Sequence, residues 1–381
     1  MKKICYITTI ATTIRAFFIP QLKYLAEHGY DVTVICSPDL SLTGELGDSI
    51  KYKPIKIARG VSPMTLNRSI KELKLYFKEE NFDIVQYSTP NAAFCAAVAS
   101  KCAGIKIRNY HLMGLRYLGM SGILKQVFKF IEKITCRLST NIECITPSNM
   151  ELAINEGLFD RDKAAIVWNG STGGVNLNRF DSSKSEEWRK DVRQKLGISD
   201  KDFVFGFIGR ITRDKGVNEI LEAYGGLKND CKLLIIGSDE GVKTLDEKLW
   251  GNSLTNKNII FYEWVADIEK YYAAIDVLLL PSYREGFGMV IAEAAAVGTP
   301  AIVSDIPGPI DVIKDGVTGY RVRVKDSESL QNAMEMLLAN PQKCKQMREN
   351  CVEFIKQNFD SSILNEKILE RKDMLISDLN V

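Results

Sequence analysis

The chain has 381 residues, 45% of them hydrophobic and 26% charged, which fits two ordinary domains and excludes a disordered or low-complexity protein. Its nine cysteines are odd in number and none is paired in a CxxC spacing, so neither a disulfide framework nor a cysteine zinc site is indicated, and a reducing cytoplasm fits best. The net charge of +2 conceals two unlike halves: residues 1–180 hold 23 Lys+Arg against 15 Asp+Glu, a balance of +8, and the rest hold 27 against 33, a balance of −6. The first half is therefore the one suited to an anionic partner.

In chain order, the opening KKICYITT reads as a strand. Threonines and Arg15 interrupt the apolar run, and no small-residue cleavage site follows, so it is not a signal peptide. Strand-like DVTVICS, DIVQYS, IKIRNYHL and ECITPS then alternate with helical stretches at 16–28, 69–80, 91–102, 121–139 and 149–156, the signature of parallel α/β units. Residues 170–201 lose this rhythm and are polar, which places a linker near 176–200 between a first domain at 1–175 and a second at 201–358. The second set of strands is DFVFGFIG, CKLLIIGS, NIIFYEW, AIDVLLLPS and PAIVSD. Helices at 327–338 and 340–357 and an amphipathic run at 361–379 close the chain. The fold class expected is α/β, two doubly wound Rossmann-like domains facing each other across a cleft, with ligands beyond the carboxyl ends of the strands. No apolar run reaches the roughly 18 residues that span a bilayer.

The most informative segment is LLLPSYREGFGMVIAEAAAVGTPAIVSD, from Leu278. A buried strand ends at Pro281, Glu285 follows, Gly286 and Gly288 bracket Phe287, and a helix carrying Glu293 runs on to Gly298. The N–H groups of Gly286, Phe287, Gly288 and Met289 open that helix, a setting suited to an anion. Either glutamate alone reads as an ordinary helix-start acid; two of them flanking a glycine turn at a strand end read as a ligand grip. In FGFIGRITRDKGVNEILEAY, Arg210 and Lys215 share one loop after a strand, as a diphosphate leaving group neutralised without metal requires. Standing alone they would be a solvated basic loop. KLLIIGSDEGVKT is not a P-loop, because its spacing to Lys243 fails.

These motifs resemble the family 4 retaining glycosyltransferases of the GT-B fold: a glutamate, seven residues, a second glutamate, a small-residue helix and Gly-x-Pro, with Gly-Arg…Lys-Gly upstream. The resemblance runs over nearly the whole chain. It implies that Glu285 holds the donor sugar's hydroxyls and Glu293 the ribose, and that backbone at Phe287, Gly288 and Met289 meets sugar and phosphate. His111, at the end of a predicted strand, matches the family's sugar-contacting histidine; a lone histidine is otherwise most often structural. It also implies that the base lies near 263–265, that the run at 361–379 crosses back to the first domain, and that no carboxylate nucleophile is needed if departure and attack share one face. GSTGGVNLNRF departs from the family's motif at Gly173 and Asn176, and the loop after strand one, TTIATTIRAF, lacks the family's paired glycines. Acceptor binding there is expected to use Thr12, Thr13 and Arg15, the arginine on an acceptor phosphate.

The stretch GILKQVFKFIEKITCRL spaces Lys125, Lys129, Lys133 and Arg137 by four, with Leu124, Val127, Phe128, Ile131 and Leu138 on an adjoining face. It reads either as a membrane-surface helix for anionic lipid at 123–138 or as a helix covering its own sheet. No aromatic-basic interleaving points to nucleic acid. The function expected is transfer of a hexose or N-acetylhexosamine from a UDP-sugar, with no other cofactor and no metal, to a saccharide acceptor that is lipid-linked. The place expected is the cytoplasm or the inner face of the cell membrane. The rivals are a UDP-sugar 2-epimerase of the same fold, which would want cleft carboxylates from the first domain, and a non-catalytic nucleotide-sugar-binding protein, which turnover would exclude.

Overall fold

The computed structural model describes residues 1–57, 62–228 and 231–379. The chain divides into two units, Met1–Gly174 with the chain from Ser362 onward, and Val175–Ser361.

The first unit opens with β1 (Lys2–Ile7), α1 (Ala11–Phe17), α2 (Ile19–Glu27), β2 (Tyr30–Cys36), α3 (Leu42–Leu46) and β3 (Ile50–Pro54). It continues with α4 (Pro63–Glu80), β4 (Ile84–Tyr87), α5 (Pro90–Ala103), β5 (Ile107–Leu112), α6 (Gly122–Leu138), β6 (Asn141–Cys144), α7 (Pro147–Asn155) and β7 (Ala164–Ile166). The seven strands pair in parallel in the order β3-β2-β1-β4-β5-β6-β7. Both faces are covered, with Ile4, Tyr6, Val32 and Val34 packed on one side and Cys5, Val85, Ala96 and Tyr110 on the other. That is why the ICYI of β1 is apolar on both faces. The single helix expected at 16–28 is two, because Pro20 at the start of α2 has no N–H to carry α1 forward.

The second unit holds α8 (Ser185–Leu196), β8 (Val204–Ile208), α9 (Val217–Gly226), β9 (Lys232–Ile236), α10 (Glu247–Thr255), β10 (Ile259–Tyr262), α11 (Ile268–Ala274) and β11 (Val277–Leu280). After these come α12 (Met289–Ala296), β12 (Ala301–Ser304), α13 (Pro309–Val312), β13 (Gly319–Val322), α14 (Ser327–Leu338) and α15 (Pro341–Asn358). Its six strands are parallel in the order β10-β9-β8-β11-β12-β13. The last helix, α16 (Ser361–Ser377), packs in the first unit, where Leu375 joins the β1–β2 core.

Residues 176–200, read above as a linker, are structural. Trp188 and Val192 of α8 are buried, and Arg193, 1% exposed, donates from Nη2 to Asp276 Oδ2 at 2.8 Å. Arg189 Nη2 takes the other oxygen at 2.6 Å. The polar surface of a helix that buries cations against a carboxylate hid its role.

Candidate active site

In each sheet the strand order reverses once, between β1 and β4 in the first unit and between β8 and β11 in the second. Loops leaving the carboxyl ends of such strands diverge, and the crevice between them is where α/β sheets bind ligands. In the second unit the loop after β8 carries Arg210 and Lys215, and the loop after β11 carries Glu285. The sequence motifs therefore meet at the switch point.

Lys215 Nζ donates to Glu285 Oε1, which also accepts the Ser282 hydroxyl at 3.0 Å. Both side chains of the pair are mostly buried. Next to it, Asp214 accepts from Thr212 at 2.6 Å and from Arg284 at 3.3 Å. Burial works against ionising Asp214, but the Thr212 hydrogen bond and the charges of Arg284, Arg210 and Lys215 hold its carboxyl below the usual range. Three cations and two carboxylates thus share one strand-end cluster. Arg210 is exposed and, among the described residues, makes no side-chain hydrogen bond to a carboxylate.

Two glycines bring these loops together. Gly216 opens α9 at φ 76°, and a Cβ there would lie 2.2 Å from the Pro281 carbonyl oxygen. Gly308 has φ 99°, and a Cβ there would lie 2.6 Å from the Gly286 oxygen. Side chains would force the β8, β11 and β12 loops apart. Gly288 is the left-handed N-cap of α12. The Phe287 side chain is buried and packs edge-on against Phe359, ring centroids 5.2 Å apart, so only its backbone is placed for a ligand.

Glu293 lies half-buried in α12 and accepts the Tyr272 hydroxyl at 2.8 Å. Burial pushes its carboxyl up to about 7, against the Tyr272 hydrogen bond and the charge of Arg179. Arg179 is held by Glu269 at 3.0 Å and the Ala266 carbonyl at 2.8 Å. Asn176, which stands where the resembled family has aspartate, accepts the N–H groups of Asn178 and Arg179 at 3.0 and 3.2 Å, the turn a carboxylate oxygen would also make.

In the first unit His111 is the penultimate residue of β5, 7% exposed, with Nδ1 at 3.4 Å from Ser88 Oγ and its ring edge-on to Phe18. Thr12 is exposed and Thr13 half-buried on α1, just beyond the carboxyl end of β1. Arg15, expected to bind an acceptor phosphate, is already occupied. Its Nε reaches both Glu45 oxygens at 2.8 and 2.7 Å, Nη1 and Nη2 reach Asp39 at 3.0 and 2.7 Å, and Nη2 also reaches Ser41 at 2.6 Å. Two carboxylates outweigh one guanidinium, so Arg15 clasps α1 to Asp39 and to Glu45 of α3 and offers no net positive charge to a phosphate.

The α6 helix differs from its expected face. Phe128 is buried and Leu138 half-buried against the core, and Ile131 is half-buried. Lys129 pairs with Glu156 at 2.8 Å, and Lys125 adds its charge to the same carboxylate. The exposed apolar side chains are Ile123, Leu124, Val127 and Phe130, with Lys133 and Arg137 exposed on the same helix. Among the described residues no helix is long and apolar enough to cross a membrane.

Sequence reasoning missed Arg284, Asp214 and Tyr272. A basic and an acidic residue one or two positions from the motifs could have drawn attention to the first two; nothing local marks Tyr272, which comes from α11.

Residues 189–353 match the family model of glycosyl transferases group 1, and residues 3–146 match that of glycosyl transferase 4-like proteins. The two Rossmann-like units are therefore those of a glycosyltransferase. With the two matches spanning most of its length, the chain belongs to the family 4 glycosyltransferases and has their GT-B fold. Over 372 residues it is 27% identical to the capsular polysaccharide biosynthesis glycosyltransferase CapM of Staphylococcus aureus, covering 96% of each chain. Over 367 residues it is 26% identical to the UDP-Gal:alpha-D-GlcNAc-diphosphoundecaprenol alpha-1,3-galactosyltransferase of Escherichia coli, covering 94% of this chain and 92% of that one. Among solved structures, Anabaena HepE in complex with UDP-glucose is similar with a TM-score of 0.79 at 19% identity, over 98% of this chain and 100% of that chain.

Proposed function

We propose that this protein transfers a hexose or N-acetylhexosamine from a UDP-sugar, with retention of anomeric configuration, to a lipid-linked saccharide in surface polysaccharide synthesis. The observation that carries this reading is the cluster at the β8/β11 switch point, where Lys215 is paired with Glu285 beside Arg210 and Arg284. The cations receive the diphosphate as it departs, in place of a metal; each charge-assisted hydrogen bond is worth about 1.5–3 kcal/mol. Glu285 takes the sugar hydroxyls, Glu293 the ribose, and the backbone of Gly286, Phe287, Gly288 and Met289 the sugar and phosphate. His111 contacts the donor sugar as an uncharged ring, and Thr12 and Thr13 serve the acceptor. The donor is supported by the UDP-glucose named for HepE, and the acceptor by the diphosphoundecaprenol named for the galactosyltransferase. A panel of UDP- and GDP-sugars assayed for slow hydrolysis tests the donor class: turnover confined to UDP-sugars is expected, and turnover of GDP-sugars alone would overturn it.

The ribose role of Glu293 sets a pH dependence. Hydroxyl donors bind the carboxylate form, and burial places its protonation at about 7. The donor kcat/KM is expected to fall as pH drops from 8 to 6, and Glu293→Gln is expected to be low and flat over that range. A wild-type profile that stays flat would count against the assignment.

Placement at the inner face of the cell membrane rests on α6, whose exposed Ile123, Leu124, Val127 and Phe130 lie beside the cations Lys133 and Arg137. The protein is expected to float with phosphatidylglycerol vesicles and not with phosphatidylcholine ones, and Val127→Asp with Phe130→Asp is expected to abolish flotation. Equal flotation of that variant would remove α6 from the account.

A further inference from the structure

The first unit contains a buried charge pair that the transferase reading leaves unused. Glu143 on β6 stands in register opposite His111 on β5. Lys372, from α16, is fully buried and donates to Glu143 Oε1 at 2.8 Å and Oε2 at 2.6 Å. Arg371 Nε lies 3.7 Å from the same carboxylate. His111, Glu143 and Lys372 line one cavity with Gln21, Gln86 and Ser171. The neighbouring residue Asp373 binds Lys2 and the Tyr30 hydroxyl, each at 2.6 Å, which fixes α16 in register beside β1 and β2.

A buried carboxylate beside a histidine normally draws a proton onto the ring. Here the carboxylate is already taken. Burial works to raise the Glu143 carboxyl, and the Lys372 ammonium, by charge and by hydrogen bond, brings it below its ordinary value. His111 is pushed down to about 4 by burial; Glu143 works to raise it and Lys372 to lower it. The uncharged Ser88 and Phe18 also meet the ring, Gln21 and Gln86 line the same cavity, and Asn109 hydrogen-bonds Glu143.

We propose that Lys372 is a positioning residue for His111: by occupying both oxygens of Glu143 from the chain's last helix, it keeps that carboxylate from the imidazole, so that His111 meets the donor sugar as a neutral ring. This rests on the reading of His111 as a sugar contact. The role also gives α16 a function in the first unit beyond covering its sheet. Loss of Lys372 would leave Glu143 buried with the Arg371 guanidinium 3.7 Å away and with both oxygens free to act on His111, the facing residue of β5. An imidazolium there would repel the positive charge that develops on the sugar as the diphosphate leaves.

The test uses the full chain in a His28→Gln background, so that imidazole signals in a proton–nitrogen NMR titration come from His111 alone, the other of the two histidines having been removed. In that background His111 is expected to stay neutral down to pH 5. Lys372→Met is expected to raise its midpoint by about one pH unit or more. Lys372→Arg is expected to keep the midpoint of the parent, and Lys372→Met with Glu143→Gln to restore it. If Lys372→Met does not fold, Lys372→Gln carries the same readout. In turnover, the Lys372→Met loss is expected to deepen toward low pH and recover toward high pH, in kcat more than in KM, whereas a merely structural defect would be independent of pH. An unmoved midpoint in a folded variant overturns the proposal. A moved midpoint with His111→Ala at full turnover overturns instead the sugar contact on which it rests.

Discussion

Glu285→Gln is expected to lower kcat by about 100-fold or more while leaving the fold intact. The carboxylate does two things at once: its Oε1 accepts Lys215 Nζ and the Ser282 hydroxyl. Glutamine keeps the shape and can still accept from Ser282, but it removes the negative charge opposite a mostly buried ammonium. Lys215 then lacks its counter-charge, and the donor sugar loses a charged acceptor for its hydroxyls. Both losses act at the reacting centre, so the effect belongs in kcat as well as in KM. Steady-state kinetics with the turned-over UDP-sugar, together with an unchanged circular dichroism spectrum, check it. A variant with full activity would show that the switch-point cluster serves another purpose.

Asp276→Ala is expected to cost about 3–5 kcal/mol of stability, because it removes one partner of a buried charge network. Asp276 accepts Arg189 at 2.6 Å on one oxygen, and Arg193 and the Val204 N–H, each at 2.8 Å, on the other. Arg193 is 1% exposed, so its charge would be stranded; the Val204 N–H would lose its acceptor where β8 begins. For a unit of this size the loss corresponds to a Tm lower by roughly 10 °C. Differential scanning calorimetry measures it. A shift of a degree or less would mean that α8 is only loosely attached, as the linker reading of 176–200 assumed.

That reading shows where sequence reasoning stops. The alternation of strands with helices was legible because both sheets are parallel and their central strands are buried, so β8, β9 and β11 stand out as apolar runs. The edge strands β3, β7 and β13 were not picked out. Ile50–Pro54 has exposed lysines at 51 and 53, and Ala164–Ile166 is three half-buried residues long. Such short or polar strands are legible only once a neighbour is in place.

The site divides in the same way. Glu285, Glu293, Arg210 and Lys215 were legible because a strand end, a glycine turn and a helix start lie within a few residues of each. Glu143 and Lys372 are 229 positions apart, and on its own Lys372 reads as one more solvated cation on an amphipathic helix. Arg15 failed in the opposite sense: an arginine among threonines suggested a phosphate, and only the folded segment 39–45 reveals the two carboxylates that hold it. The basic face of α6 was likewise half consumed by Glu156.

The central claim is that the switch-point cluster, Lys215 with Glu285 beside Arg210, releases a diphosphate and that the sugar passes on with its configuration kept. Its most direct test is proton NMR of the anomeric centre in the product formed from an α-linked UDP-sugar and a lipid-diphosphate-linked saccharide. An α-linkage in the product, lost with Glu285→Gln, is the result this account predicts; a β-linkage would contradict it.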